Sequence, residues 1–221
     1  MVTLLPKSLG SSTTKAYISL TMSTLIIHPK DQSTDFLKPI YATIQDKTVI
    51  TGGVTKYELR ELIKVHDRII MLGHGTPIGL LSVGQFPDNG SYVIDYSYTD
   101  LLSAKKENIF IWCYADLFVK RNGLNAFYSG LFLSEFGEAL SSGFYIADRN
   151  LITESNENFA SIVSRNIHQP LDMLFENVIQ EYAIMAKTNP IAEFNLERLY
   201  LNLNHKKNGS NRFCKELPEL P

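Results

Sequence analysis

Hydrophobic and polar positions alternate in blocks along the chain. Five short apolar runs read as strands: Leu25–His28, Lys47–Thr51, Arg68–Leu72, Asn108–Cys113 and Gly143–Ala147. Pro29 closes the first, and Gly52-Gly53 ends the second. Between them lie segments with apolar residues at helical spacing. Asp35–Ile44 is one, starting near Asp31–Ser33 and limited by Pro39. Thr55 with Glu58 forms a capping-box pattern ahead of a helix that runs to Val65. Asn125–Leu140, Asn156–Met185 and residues 191–203 read as further helices, with Pro170 breaking or bending the second. Leu80–Val83 and Ser91–Tyr96 read as a hairpin across Pro87-Asp88-Asn89-Gly90, and Thr99 or Asp100 as the cap of a short helix.

Strands alternating with amphipathic helices predict an α/β fold. Its sheet is mostly parallel and flanked by helices on both faces, with the β-hairpin as an insertion. Neither a repeat nor a low-complexity block is evident, so residues 24–205 read as one domain. Residues 1–23 read as a loosely ordered leader and residues 206–221 as a polar tail.

Composition narrows the function classes. A formal net charge of -2 gives no footprint for nucleic acid or an anionic membrane. No apolar run is long enough to span a bilayer, and the N-terminal stretch lacks a clean signal-peptide core. The two cysteines, Cys113 and Cys214, favour a reducing compartment, hence the cytoplasm, or a functional thiol.

Ligands of open α/β sheets collect at the carboxyl ends of strands. Two reactive side chains sit at such ends. His74, between Gly73 and Gly75, follows Arg68–Leu72, and Cys113 ends Asn108–Cys113. A cysteine peptidase needs such a pair. The thiol loses its proton to the imidazole, which returns it to the leaving amine. The oxyanion needs backbone N–H donors, which Gly75 and Cys113 could supply. Asp116, Asp148 and Trp112 are candidates for lining the substrate pocket, Asp116 by recognising a basic side chain. The more ordinary role of Asp116 is a cap of the next helix. His28 reads as a structural histidine, and Tyr92, Tyr96 and Tyr98 as residues alternating on one strand. No His, Cys or Asp spacing suggests zinc, and Gly52-Gly53 is not a phosphate loop.

The pieces Ile69-Ile70-Met71-Leu72-Gly73-His74-Gly75 and Ile109-Phe110-Ile111-Trp112-Cys113 resemble the caspase-like cysteine peptidases, over roughly residues 24–150. That resemblance implies a caspase-like α/β/α sandwich. It also implies His74 as base, Cys113 as nucleophile, an oxyanion hole from the Gly75 and Cys113 amides, a peptide or protein substrate, and no cofactor. Trp112 before the cysteine and Tyr114-Ala115-Asp116 after it depart from the caspase pattern. They point to a divergent, bacterial-type member. They also motivate an alternative: a catalytically inactive caspase-fold module that binds a protein partner.

Overall fold

The computed structural model describes residues 22–203, apart from 89, 146 and 147. A six-stranded sheet runs through its centre in the order β2-β1-β3-β7-β8-β9. The strands are β1 (Thr24–Ile27), β2 (Lys47–Ile50), β3 (Arg68–Leu72), β7 (Asn108–Ile111), β8 (Ala126–Ser129) and β9 (Leu199–Asn202). All neighbours pair in parallel except β8 and β9, which are antiparallel. A smaller antiparallel sheet joins β4 (Gly75–Thr76), β5 (Gly79–Leu81) and β6 (Tyr92–Ile94). The fold is thus α/β with a mostly parallel sheet flanked by helices and a hairpin-bearing insertion.

The inner strands β1, β3, β7 and β8 are buried at every residue, whereas the edge strands β2 and β9 are partly exposed. Burial on both faces is why these runs are continuously apolar rather than alternating. Alternate side chains feed two cores. Ile70, Leu72, Ile109 and Ile111 face one core, shared with α5 (Arg149–Asn166), α6 (Leu171–Ala186) and a 3-10 helix at Gln32–Tyr41. Ile69, Met71, Phe110 and Trp112 face the other, shared with α1 (Lys56–Val65), α3 (Ala115–Asn122) and the small sheet.

Local signals in the sequence act as physical chemistry requires. Thr55 and Glu58 make the reciprocal capping box that starts α1. Pro170 separates α5 from α6. Asp31 caps the segment containing Pro39 by accepting from the Ser33 amide, but that segment winds as a 3-10 helix. Four sequence readings change. Residues 125–140 are not one helix: Ala126–Ser129 is the buried strand β8, and only α4 (Phe136–Ser141) is helical. The fifth parallel strand is therefore β8, not residues 143–147. Gly143 sits in a turn, Tyr145 is 82% exposed, and 146–147 lie outside the described residues. Residues 191–203 divide into α7 (Pro190–Leu196) and β9. Tyr96 and Tyr98 lie in a 3-10 turn after β6 rather than on the strand with Tyr92.

The expected leader and tail fall almost wholly outside the described residues, as does Cys214. Ser23 is described: its backbone N–H and hydroxyl both donate to Asp67. Among the described residues no helix is long and apolar enough to cross a membrane.

His28, just past β1, is buried with its ring nitrogens on the Tyr41 and Thr34 hydroxyls. Burial pushes its pKa from 6.5 down to about 4. The imidazole is neutral in the folded chain but protonates readily when unfolded. The unfolded state therefore binds more protons below pH 6.5, and stability falls as pH drops from there towards 4. Urea unfolding across this window should show wild type losing about 3 kcal/mol that His28→Gln, which does not titrate there, keeps.

Candidate active site

The strand order fixes where a ligand crevice lies. The chain passes from β1 to β2 on one side, whereas β3 leads to β7 on the other, so the order reverses between β1 and β3. Loops leaving such strands at their carboxyl ends diverge and open a crevice. His74 follows β3 at that point, and Asp31 and Ser33 follow β1.

Cys113 joins His74 through strand register. Leu72 pairs with Ile111, and the Gly73 N–H donates to the Ile111 carbonyl at 3.1 Å. Two residues beyond that pair on each strand lie His74 and Cys113. Their parity is that of Leu72 and Ile111, so both belong to the same face of the sheet. Contacts agree: His74 meets Ser33 of the 3-10 helix, and Cys113 meets Phe132, a member of the same core.

The glycines around His74 have separate duties. Gly73 adopts φ +139°, a conformation that favours glycine, where the chain leaves the main sheet for the small one. Gly75 lies against the Trp112 indole; an added Cβ would fall 1.9 Å from Cδ1 of that ring. Trp112 is only 1% exposed and donates from Nε1 to the Thr76 carbonyl at 3.4 Å. It also packs on Phe110 and Phe118. It points to the face opposite Cys113, so it supports β4 from beneath and does not line a substrate pocket. That corrects the sequence reading.

The backbone at the site offers two donors. Leu81 donates to the His74 carbonyl, so His74 and Leu81 form a hydrogen-bonded antiparallel pair. The next pair, Gly75 with Leu80, is then a non-bonded one, and the Gly75 N–H is directed away from β5. The Cys113 N–H has no acceptor among the described residues. Tyr114, the next residue, has φ 69° and ψ 24°, a left-handed conformation uncommon outside glycine. It makes the sharp bend from β7 into α3.

The loop leaving β8 closes the site from the other side. Asn195 holds it by bonding both the N–H and the carbonyl of Leu133, and Asn156 donates to the Ser134 carbonyl. At its end, Glu135 and Glu138 form the capping box of α4. Glu138 Oε2 accepts from the Ser134 and Glu135 amides, and its Oε1 lies 3.9 Å from Cys113 Sγ. Glu135 Oε1 lies 3.7 Å from His74 Nε2. The thiol and imidazole thus flank one short acidic segment, but they do not bond each other. Sγ donates to the Phe132 carbonyl at 3.4 Å, and His74 Nε2 meets Ser33 Oγ at 2.7 Å. Burial, and then the Glu138 charge, push the Cys113 thiol up to about 12, so it is neutral here.

The two aspartate candidates separate. Asp148 is exposed and caps α5 by accepting from the Leu151 amide at 2.8 Å, so it is not a pocket residue. Asp116 sits in the first turn of α3, pairs with Lys120 at 3.2 Å, and lines an open depression of about 540 Å³. Tyr114, Gly130, Phe194, Arg198 and Tyr200 share that depression, whereas Cys113 and His74 do not line it. Among the described residues no group of three or more His, Cys, Asp or Glu is placed to hold a metal ion. The sequence reading missed Ser33, Glu135 and Glu138. The first looked like part of a helix start, and the glutamates fell inside a segment read as one long helix.

Two outcomes test this geometry. Gly75→Ala should lower stability by about 1–3 kcal/mol through overpacking against Trp112, and adding Trp112→Leu should recover part of that loss in a double-mutant cycle. Glu138→Gln keeps the capping oxygen but removes the charge beside the sulfur. Iodoacetamide alkylation of Cys113 at pH 8, followed by mass spectrometry, should then run several-fold faster than in wild type. An unchanged rate would mean that the carboxylate does not act on the thiol.

Comparisons with protein-family models, with curated proteins and with solved structures find no match to this chain.

Proposed function

We propose that this chain is a caspase-like cysteine peptidase that cleaves peptide bonds with Cys113 as nucleophile and His74 as base. The observation that carries the reading is the pairing of β3 with β7. It sets an imidazole and a thiol on one face, at the carboxyl edge of a parallel sheet, beside a switch in strand order. The Gly75 and Cys113 N–H groups support it further as oxyanion donors.

The reaction begins when the sulfur leaves the Phe132 carbonyl and turns to the imidazole. The thiol proton passes to His74, and the sulfur electron pair forms an S–C bond to the substrate carbonyl carbon. The carbonyl π electrons move to oxygen, where the two amides receive the charge. Collapse breaks the C–N bond, and His74 gives its proton to the departing amine. Water then attacks the thioester, losing a proton to His74. The C–S bond breaks, the acid leaves, and the proton returns to sulfur. No metal or cofactor enters these steps. Asp116, three residues after Cys113 and paired with Lys120, is the candidate to meet a basic substrate side chain in this reading. The unpaired Cys113 suits a reducing compartment such as the cytoplasm.

A specific observation favours a second reading, a catalytically silent module that binds a protein partner. The thiol is half-buried, neutral and turned to Glu138 and Phe132 rather than to His74.

Peptidyl acyloxymethyl ketones bearing Asp, Asn, Lys or Arg at the first position separate the two. Under the peptidase reading at least one labels wild type, Cys113→Ala abolishes labelling, and His74→Gln slows it about 100-fold or more. Equal behaviour of wild type and Cys113→Ala with these probes and with a peptide library leaves the binding module as the function.

A further inference from the structure

The hydrogen bonds around His74 Nε2 identify what orients the base. Ser33 Oγ lies 2.7 Å from that nitrogen and 2.9 Å from Asp31 Oδ1. A hydroxyl has one hydrogen and can donate it once. A carboxylate only accepts, so the Asp31 contact takes that hydrogen. The His74 contact is then satisfied only if Nε2 carries a proton and donates it to Ser33.

The surrounding charges agree. Asp31 Oδ2 and Glu135 Oε1 each lie 3.7 Å from Nε2, on opposite connecting loops. Among the described residues neither carboxylate pairs with a lysine or arginine. The Ser33 amide, bonded to Asp31 Oδ1 at 2.9 Å, holds that carboxyl below its usual range and so ionised. Both acids thus stand on the Nε2 side of the ring. An alternative in which Ser33 is itself a nucleophile is not supported. A serine activated in that way needs its acid on the far ring nitrogen, whereas both carboxylates here face the nitrogen that Ser33 already occupies.

We infer that Ser33 and Asp31 are positioning residues that fix His74 in its Nε2–H tautomer, leaving Nδ1 as the atom that takes the Cys113 proton. This rests on the peptidase reading and adds the third member of its machinery. Ser33 is itself anchored. It occupies the first turn of the 3-10 helix capped by Asp31, and that helix packs its Leu37, Ile40 and Tyr41 into the core.

The tautomer is directly measurable. Two-bond proton–nitrogen correlation spectra of histidine-labelled protein, taken where His74 is neutral and assigned by loss of the signal in His74→Gln, should show Nε2–H in wild type. Ser33→Ala should mix the two tautomers, and Ser33→Thr should restore one. In parallel, the pH profile of Cys113 alkylation by iodoacetamide is read in a Cys214→Ala background. The titratable groups that face His74 are Asp31 and Glu135, and those that face Cys113 include Glu138. The part of the rate that depends on His74 should fall about tenfold in Ser33→Ala and return in Ser33→Thr. An Nδ1–H tautomer in wild type, or a tautomer unmoved by Ser33→Ala, overturns the assignment even if Cys113 reactivity depends on His74. Nε2–H that Ser33→Ala mixes, together with no dependence on His74 for alkylation or for labelling by the peptidyl ketones, upholds the Ser33 bond and overturns the peptidase reading instead.

Discussion

Parallel pairing of β3 with β7 is the constraint on which the candidate site depends. Leu72 opposite Ile111 is a statement about register, and side chains in a strand alternate with a period of two. A slip of one residue in either strand would send His74 and Cys113 to opposite faces. Register is held because both strands are buried on both sides, with Ile70, Leu72, Ile109 and Ile111 in one core and Met71, Phe110 and Trp112 in the other. The apolar cores therefore do more than stabilise the sheet; they aim its two reactive side chains.

The insertion after β3 is tied to the same pair of strands. Trp112 stands in the opposite core from Cys113, its immediate neighbour, and its ring lies under Gly75. Sulfur and indole thus leave adjacent residues for opposite faces. The sulfur meets the loop after β8, at Phe132 and Glu138, while the indole supports the strand that carries Gly75. Only glycine at 75 allows that approach, which gives the second glycine beside His74 a packing reason independent of any chemistry.

Electrostatics at the site are uneven. His74 has Asp31 and Glu135 each 3.7 Å from Nε2, while at Cys113 burial, and then the Glu138 charge, disfavour the thiolate. Two carboxylates thus stand beside the imidazole and a third beside a thiol that burial already keeps neutral. Glu138 cannot withdraw freely, because its second oxygen caps α4 through Ser134 and Glu135, and Asn195 and Asn156 pin the loop before it. Burial is the main reason that the resting thiol is neutral, and the Glu138 charge that adds to it belongs to the helix cap itself.

The α/β class, the first three strands, the α1 capping box, the break at Pro170 and the placement of His74 and Cys113 at strand ends were legible in the chain, because each depends on residues near one another in sequence. The elements that were misread depend on distant partners. Ala126–Ser129 is too short and too close to helix-forming residues to declare itself, and becomes a strand because β7 lies beside it. Leu199–Asn202 resembles the end of a helix until β8 offers an open edge. Ser33 looked like a helix start, yet it meets an imidazole 41 residues away. Asp148 and Trp112 looked available to a substrate, but a helix terminus claims one and the buried core the other. Local pattern determined which segments could be strands or helices; tertiary packing alone decided which side chains face one another, since that depends on the order and register of strands that the chain brings together from afar.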